Sequence, residues 1–290
     1  MFPQLFTVPG TDFVVTAYGL AMGLALVSAW VWALLMARQD RLPSDRLGTV
    51  FVLAALFGLF GARAVWLLQH GEALTVEALR SLPAGGMTVF GGAALAMLVC
   101  VVGARRLGVP LLAWLDCVAP AFALGAVFER VGALLAGGDF GRYVGPEELG
   151  HALAVTYPPG SPAFVLHTVT LQGLPGVSEA ASAPVHPVQA YEAVVALIAV
   201  MVALRLRRTR TYTGQLFCWV MGVFIVGRVL LDPLGHAASP EVYGALRLAQ
   251  ISGLGLVAVL AITAAVQRSK AADTKGGLRL WEGGPWSPKP

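Results

Sequence analysis

The chain has 290 residues, 57% hydrophobic and only 12% charged, with a mean hydropathy of +0.73 and a formal net charge of +4. A soluble domain of this length needs far more charge on its surface, so the composition excludes one and indicates a protein that crosses a membrane several times. The apolar runs are unbroken, which also excludes the alternating strands of about 10 residues that build a membrane β-barrel.

A bilayer core of about 30 Å calls for about 20 apolar residues per helix. Seven segments meet that length: 13–37, 47–69, 87–104, 111–135, 188–204, 214–231 and 246–266, the third and sixth only just. The expected fold is therefore all-α, a polytopic membrane bundle of seven transmembrane helices. The first segment runs 25 residues without a charge and has no Lys or Arg before it. That reads as an uncleaved first helix, since a secretory signal wants a basic start and a shorter apolar core. Cys100, Cys117 and Cys218 all fall inside spans at no metal-ligand spacing, so neither a disulfide framework nor a zinc site is expected.

Basic residues alternate between connections. Arg38, Arg41 and Arg46 follow the first span, Arg105 and Arg106 the third, and Arg205, Arg207, Arg208 and Arg210 the fifth. Five more Lys or Arg lie in the tail from Arg268, while the intervening connections hold only Arg80 and Arg142. The positive-inside rule then places the N-terminus outside and the C-terminus in the cytoplasm. Because these charges flank helix ends, topology accounts for them and no nucleic-acid partner is implied. The expected organisation is spans 1–4 over 1–137, a small extracytoplasmic head over 138–186, spans 5–7 over 187–267, and a disordered tail over 268–290. No internal repeat supports an inverted-repeat transporter.

Ionisable groups at membrane depth cost about 2.5–3.5 kcal/mol each and mark candidate functional positions. The chain has Arg63, Asp116, Glu129, Arg130, Glu192, Arg228 and Asp232 there. Snorkelling and structural ion pairs would account for any one of them. By the expected topology Glu129, Arg130, Glu192 and Asp232 gather near the outer boundary, with Arg130 leading into "VGALLAGGDFGR". Arg63 and Arg228 lie deeper, in the outward halves of their helices, and Asp116 lies near the inner face. Arginine grips phosphate with two parallel hydrogen bonds and keeps its charge, and neighbouring glycines admit a ligand closely. An arginine pocket open to the outer leaflet suits a phospholipid headgroup. No Walker loop, HExxH or GxSxG is present, against nucleotide, zinc-protease or serine-hydrolase chemistry.

The stretch "PVHPVQAYEAV" at 184–194 resembles the HPxQxYE motif of the prolipoprotein diacylglyceryl transferase family. "LFTVPGTDFVVTAYGLAMGLAL", "GLFGARAVW", "GGMTVFGGAALAM", "ERVGALLAGGDFGR", "GQLFCWVMGVFIVGRVLLD" and "LAQISGLGLV" resemble that family's successive segments in order, over roughly residues 5–265. The resemblance implies an enzyme of the bacterial cytoplasmic (inner) membrane. It would move the diacylglyceryl group of phosphatidylglycerol onto the lipobox cysteine of a preprolipoprotein signal peptide, releasing glycerol 1-phosphate, with no metal or organic cofactor. By motif, Arg130 and Arg228 would clamp the phosphate; Gly91, Gly92 and Gly132 would allow close approach; and Tyr18, His186, Gln189, Tyr191 and Glu192 would shape the site.

Several positions depart from the family pattern. Phe90 stands where many members carry His or Tyr, Ala133 where Asn is common, and Gly138 where Glu is frequent, with Asp139 beside it. Phe224 replaces a Tyr, Asp232 a Glu and Gly235 an Arg. Two readings follow. One is an active enzyme in which neighbouring arginines favour the thiolate, so that a dedicated base contributes little, or in which Asp139 or His236 substitutes as base. The other is an inactive paralogue that binds phospholipid or lipoprotein signal peptides.

Overall fold

The computed structural model describes residues 4–7, 10, 14–80, 86–148, 150–170, 175–235, 242–243 and 246–273. Among the described residues, seven helices are long and apolar enough to cross a membrane, so the chain is a polytopic helical membrane protein. Its apolar side chains face outward along these helices, as at Leu20, Leu24, Phe57, Leu98, Leu197 and Ile262, all exposed. That is the surface a lipid solvent requires.

The start of the chain differs from the expected single span from 13. Residues Gln4–Thr7 (β1) and Val14–Thr16 (β2) form an antiparallel pair with Gln4 opposite Thr16 and Thr7 opposite Val14, interrupted by a bulge. The β-branched run Val14-Val15-Thr16 favours extended backbone. Thr16 then caps the first helix, its Oγ1 accepting from the Gly19 N–H at 3.0 Å. Helix α1 accordingly covers Ala17–Gln39.

Helix α2 covers Ser44–Gln69 and stops ahead of Gly71, whose φ of 69° is left-handed. A short α3 (Val76–Arg80) precedes α4 (Val89–Arg106) and α5 (Leu111–Ala136). Gly137, at φ 76°, ends α5, and the N–H groups of Gly137 and Gly138 both return to Ala133 O at 2.9 and 3.1 Å. A single turn, α6 (Pro162–Val165), lies within the insertion that follows. Helix α7 (Val188–Thr209) opens on Pro187, and α8 (Gln215–Leu231) on Gly214. The last helix, α9 (Leu248–Asp273), extends past the expected boundary at 267, and the rest of the expected tail lies outside the described residues.

The chain divides into two compact units. In the unit built on residues 30–118, α2 and α4 pack glycine against glycine. A Cβ on Gly61 would come 2.6 Å from Gly91 O, and one on Gly92 would come 3.0 Å from Gly58 O. Such small-residue seams let backbones approach where no hydrophobic force separates helix from lipid. Arg63 is buried here; its guanidinium donates to Ala78 O and Gly86 O at 3.1 Å each and lies 4.9 Å from the Trp66 ring centre. It ties the α2–α4 connection to α2, which gives this membrane-depth arginine a structural task.

The other unit comprises residues 1–29 and 119–275. Helix α1 meets α5 along Ala21, Ala25 and Ala29 facing Gly125 and Gly132. Gly227 of α8 receives Val195 of α7, and Gly253 of α9 receives Val229 of α8. The insertion between α5 and α7 has its own small core of Phe140, Tyr157, Ala163 and Val185, with Val155 and Leu166 against it. Its backbone is knit by single bridges, Tyr143 and Val155 both pairing with Val185, and Gly141 with Gly235.

Candidate headgroup site

Helices α5, α7 and α8 carry four charged residues into a common cluster, Glu129 and Arg130 from α5, Glu192 from α7 and Arg228 from α8. Arg130 stands one turn and a half before the end of α5, and its guanidinium is divided among three carboxylates. Its Nε donates to Glu129 Oε2 at 2.5 Å, and one terminal nitrogen donates to Glu192 at 2.8 Å and to Asp139 at 3.2 Å. Glu192, in the first turns of α7, uses its other oxygen to accept from Arg228 of α8 at 2.7 Å. One carboxylate therefore bridges Arg130 and Arg228, the two arginines for which the family resemblance implies a phosphate-clamping role.

The cluster is graded in exposure. The side chains of Glu129 and Glu192 are 15% exposed and that of Arg130 is 25% exposed, whereas Arg228 and Asp139 are 62% and 63% exposed. Among the described residues, the second terminal nitrogen of Arg130 makes no hydrogen bond, and neither do Nε and the second terminal nitrogen of Arg228. Glu192 thus fixes both guanidiniums by one nitrogen each and leaves further donors uncommitted.

The glycine-rich turn is set from beneath. Gln189, fully buried on the first turn of α7, donates its side-chain amide to Gly138 O and to the Tyr157 hydroxyl, the latter at 3.1 Å. Between Gly137 and Asp139 the chain passes through left-handed backbone, Asp139 having φ 49°. Such a conformation is unfavourable for a residue with a side chain and is kept where surrounding contacts enforce it. Burial pushes the Tyr157 phenol up from its ordinary value, and the Gln189 amide only partly opposes it. Tyr157 is a site-supporting residue that the sequence did not single out.

His186 neighbours Arg142 in the insertion that follows α5. Its ring packs over Gly150 and stands 6.3 Å from the Tyr191 ring. Burial, followed by the Arg142 charge, holds the imidazole below its ordinary value, against the pull of Glu148. Arg142 is paired with Glu148 at 2.7 Å, and that hydrogen bond together with the Gly145 N–H holds the Glu148 carboxyl low. His186 also anchors backbone: its carbonyl accepts from Gly141 and its N–H donates to Arg142 O.

Tyr18 reaches Glu129 Oε1 through a long hydrogen bond of 3.4 Å. Gly132 permits this, because a Cβ there would overlap Ala21 of α1. The close approach allowed by Gly132, and by Gly91 and Gly92 in their own unit, is of helix to helix. Of the divergent positions, Ala133 is buried, Phe90 is exposed, and Phe224 packs at 5.3 Å on Phe122 in an apolar contact. Space is open where a side chain at Gly138 would project. Gly235 pairs with Gly141, and His236 lies outside the described residues.

Residues 3–266 match the family model for prolipoprotein diacylglyceryl transferase. The chain is similar to the phosphatidylglycerol–prolipoprotein diacylglyceryl transferases of Bacillus cereus (strain B4264), at 24% identity, and Bacillus anthracis (strain A0248), at 23%. Both alignments span 267 residues, 91% of this chain and 92% of the relative. A match running nearly end to end, over a chain whose two arginines meet on the glutamate of "HPVQAYE", makes this protein a member of the prolipoprotein diacylglyceryl transferase family of membrane transferases.

Proposed function

We propose that this protein transfers the diacylglyceryl group of phosphatidylglycerol to the lipobox cysteine of preprolipoproteins in the bacterial cytoplasmic membrane. The proposed orientation puts the N-terminus outside and the C-terminus inside, with the arginine cluster at the outer leaflet and the 138–186 insertion forming an extracytoplasmic head. The observation that carries the reading is the pair of guanidiniums bridged by Glu192 with donors to spare.

In the reaction, the cysteine sulfur forms a bond to the glyceryl carbon as that carbon's bond to the phosphate oxygen breaks. The electron pair leaves on glycerol 1-phosphate. Negative charge therefore grows on the phosphate, and fixed donors aimed there lower the barrier. Arg130 and Arg228 supply those donors. Two guanidiniums facing three carboxylates carry a net charge of −1 when all are ionised, so an entering phosphate meets a like-charge repulsion that displacing one carboxylate relieves. Asp139 yields first, having the longest contact with Arg130 and the greatest exposure of the three. Released, its carboxylate takes the thiol proton. Gln189 holds the turn from which Asp139 projects, and the His186 carbonyl accepts from Gly141 just beyond it.

The second reading, a lipid- or signal-peptide-binding protein without transfer, draws on Phe90 and Ala133, which remove polar contacts. The test is direct. Purified protein is incubated with phosphatidylglycerol and a lipobox peptide, and the peptide is followed by mass for a diacylglyceryl addition. An adduct that requires both lipid and protein supports transfer; intact lipid binding with no adduct supports the second reading.

A further inference from the structure

We propose that Glu129 is a positioning residue for the phosphate clamp: its carboxylate locks the Arg130 guanidinium by Nε. This rests on the transfer reading above, and concerns a residue that neither the family motif nor the relatives' names assign.

Arg130 makes three hydrogen bonds from two of its nitrogens, and their partners are not equivalent. Asp139 is exposed and makes the longest contact, so it is the partner that yields to an entering phosphate. Glu192 is shared with Arg228 and holds a terminal nitrogen. Only Glu129 holds Nε, the nitrogen nearest the side-chain stem, at 2.5 Å and with a side chain 15% exposed. A guanidinium is planar, so a partner on Nε fixes the plane while the terminal nitrogens stay available to an anion. Without that partner the plane can turn about the last bonds of the stem, and a misplacement of about 1 Å costs about 10²-fold in rate.

The second oxygen of Glu129 is held by the Tyr18 hydroxyl of α1. Tyr18 thus acts through Glu129, and the α1–α5 seam at Gly132 and Ala21 sets how close Tyr18 can come. Tyr18, Glu129 and Arg130 form one chain of contacts that ends at the clamp.

The experiment compares wild-type protein with Glu129→Gln and Glu129→Ala in lipid nanodiscs. It measures transfer to a lipobox peptide against the mole fraction of phosphatidylglycerol, and binding of short-chain phosphatidylglycerol separately. Glu129→Ala lowers kcat by about 30-fold, less than the 10²–10³ expected for losing a transition-state donor itself, and weakens binding by about fivefold. Glu129→Gln keeps an oxygen acceptor for Nε and loses less than about fivefold in kcat. The shape of the pH profile stays that of wild type, because Glu129 transfers no proton. Wild-type kcat and binding in a folded Glu129→Ala protein would overturn the inference. So would a Glu129→Gln protein as inactive as Glu129→Ala with a displaced pH profile, which would make Glu129 the base. If wild-type protein yields no adduct, the transfer reading falls alone; the positioning inference is then decided by whether Glu129→Ala weakens lipid binding.

Discussion

Arg228 donates to Glu192 at 2.7 Å although 36 positions separate them, joining α8 to the first turns of α7. Since Glu192 also accepts from Arg130, its replacement releases Arg228 and removes one of the three contacts of Arg130 at once. Glu192→Gln is expected to lower transfer by about 10–100-fold and Glu192→Ala by more. Both should lose about 1–3 kcal/mol of stability for the charge-assisted bonds removed, read by thermal unfolding in detergent.

Arg130→Ala and Arg228→Ala are each expected to reduce transfer by about 10²–10³-fold, the effect of removing one transition-state donor. Lysine should not restore Arg130, because a compact ammonium lacks the planar fork whose Nε holds Glu129 while one terminal nitrogen meets Glu192 and Asp139 and the other stays available to an anion. Unchanged rates in both alanine variants would remove the clamp assignment.

Asp139→Asn separates binding from chemistry. Removing one of three carboxylates should lower KM for phosphatidylglycerol by about 2–5-fold, through relief of like-charge repulsion. Loss of the proton acceptor should lower kcat by about 10²-fold. Steady-state kinetics over lipid mole fraction give both values; a lowered kcat with raised KM would contradict the displacement step.

Glycine substitutions distinguish packing from open space. At Gly132 a Cβ would overlap Ala21, so Gly132→Leu should cost at least about 1–3 kcal/mol by overpacking and reduce the yield of folded protein. At Gly138 nothing lies within 4 Å of the corresponding position. Gly138→Ala should therefore fold to wild-type yield, as measured by size-exclusion profile and thermal midpoint.

The imidazole of His186 is depressed below its ordinary value by burial and by Arg142. In acid the unfolded chain therefore takes up a proton there before the folded one does, and stability falls as pH drops below about 6.5. Glu148 contributes with the same sign at lower pH, since its depressed carboxyl favours the folded state until it is protonated. Thermal midpoints should decline from pH 7 to pH 5 in wild type, and the decline should be shallower in a folded His186→Gln protein. An equal slope would show that His186 does not titrate with unfolding.

The membrane class and the seven spans were legible in the amino-acid sequence, because apolar length and flanking charge are local properties that bilayer thickness reads directly. The motif "HPVQAYE" and the two arginines likewise identify the family by order along the chain. The short strands ahead of α1 were hidden, since Val14-Val15-Thr16 is as apolar as the helix it precedes and only pairing with Gln4–Thr7 distinguishes it. Arg63 and Arg130 both looked like charges at membrane depth. One caps a connection and the other meets three carboxylates, a difference set by which way each helix face turns. The sequence by itself determined the spans, the family and the residue types available for phosphate. Tertiary structure alone decided that Glu192 joins Arg130 to Arg228, that Gln189 seats the Gly138 turn and that Tyr18 of α1 reaches Glu129. Hydrogen-bond direction and charge pairing depend on distances of about 3 Å, and only packed helices bring residues so far apart in sequence within that range.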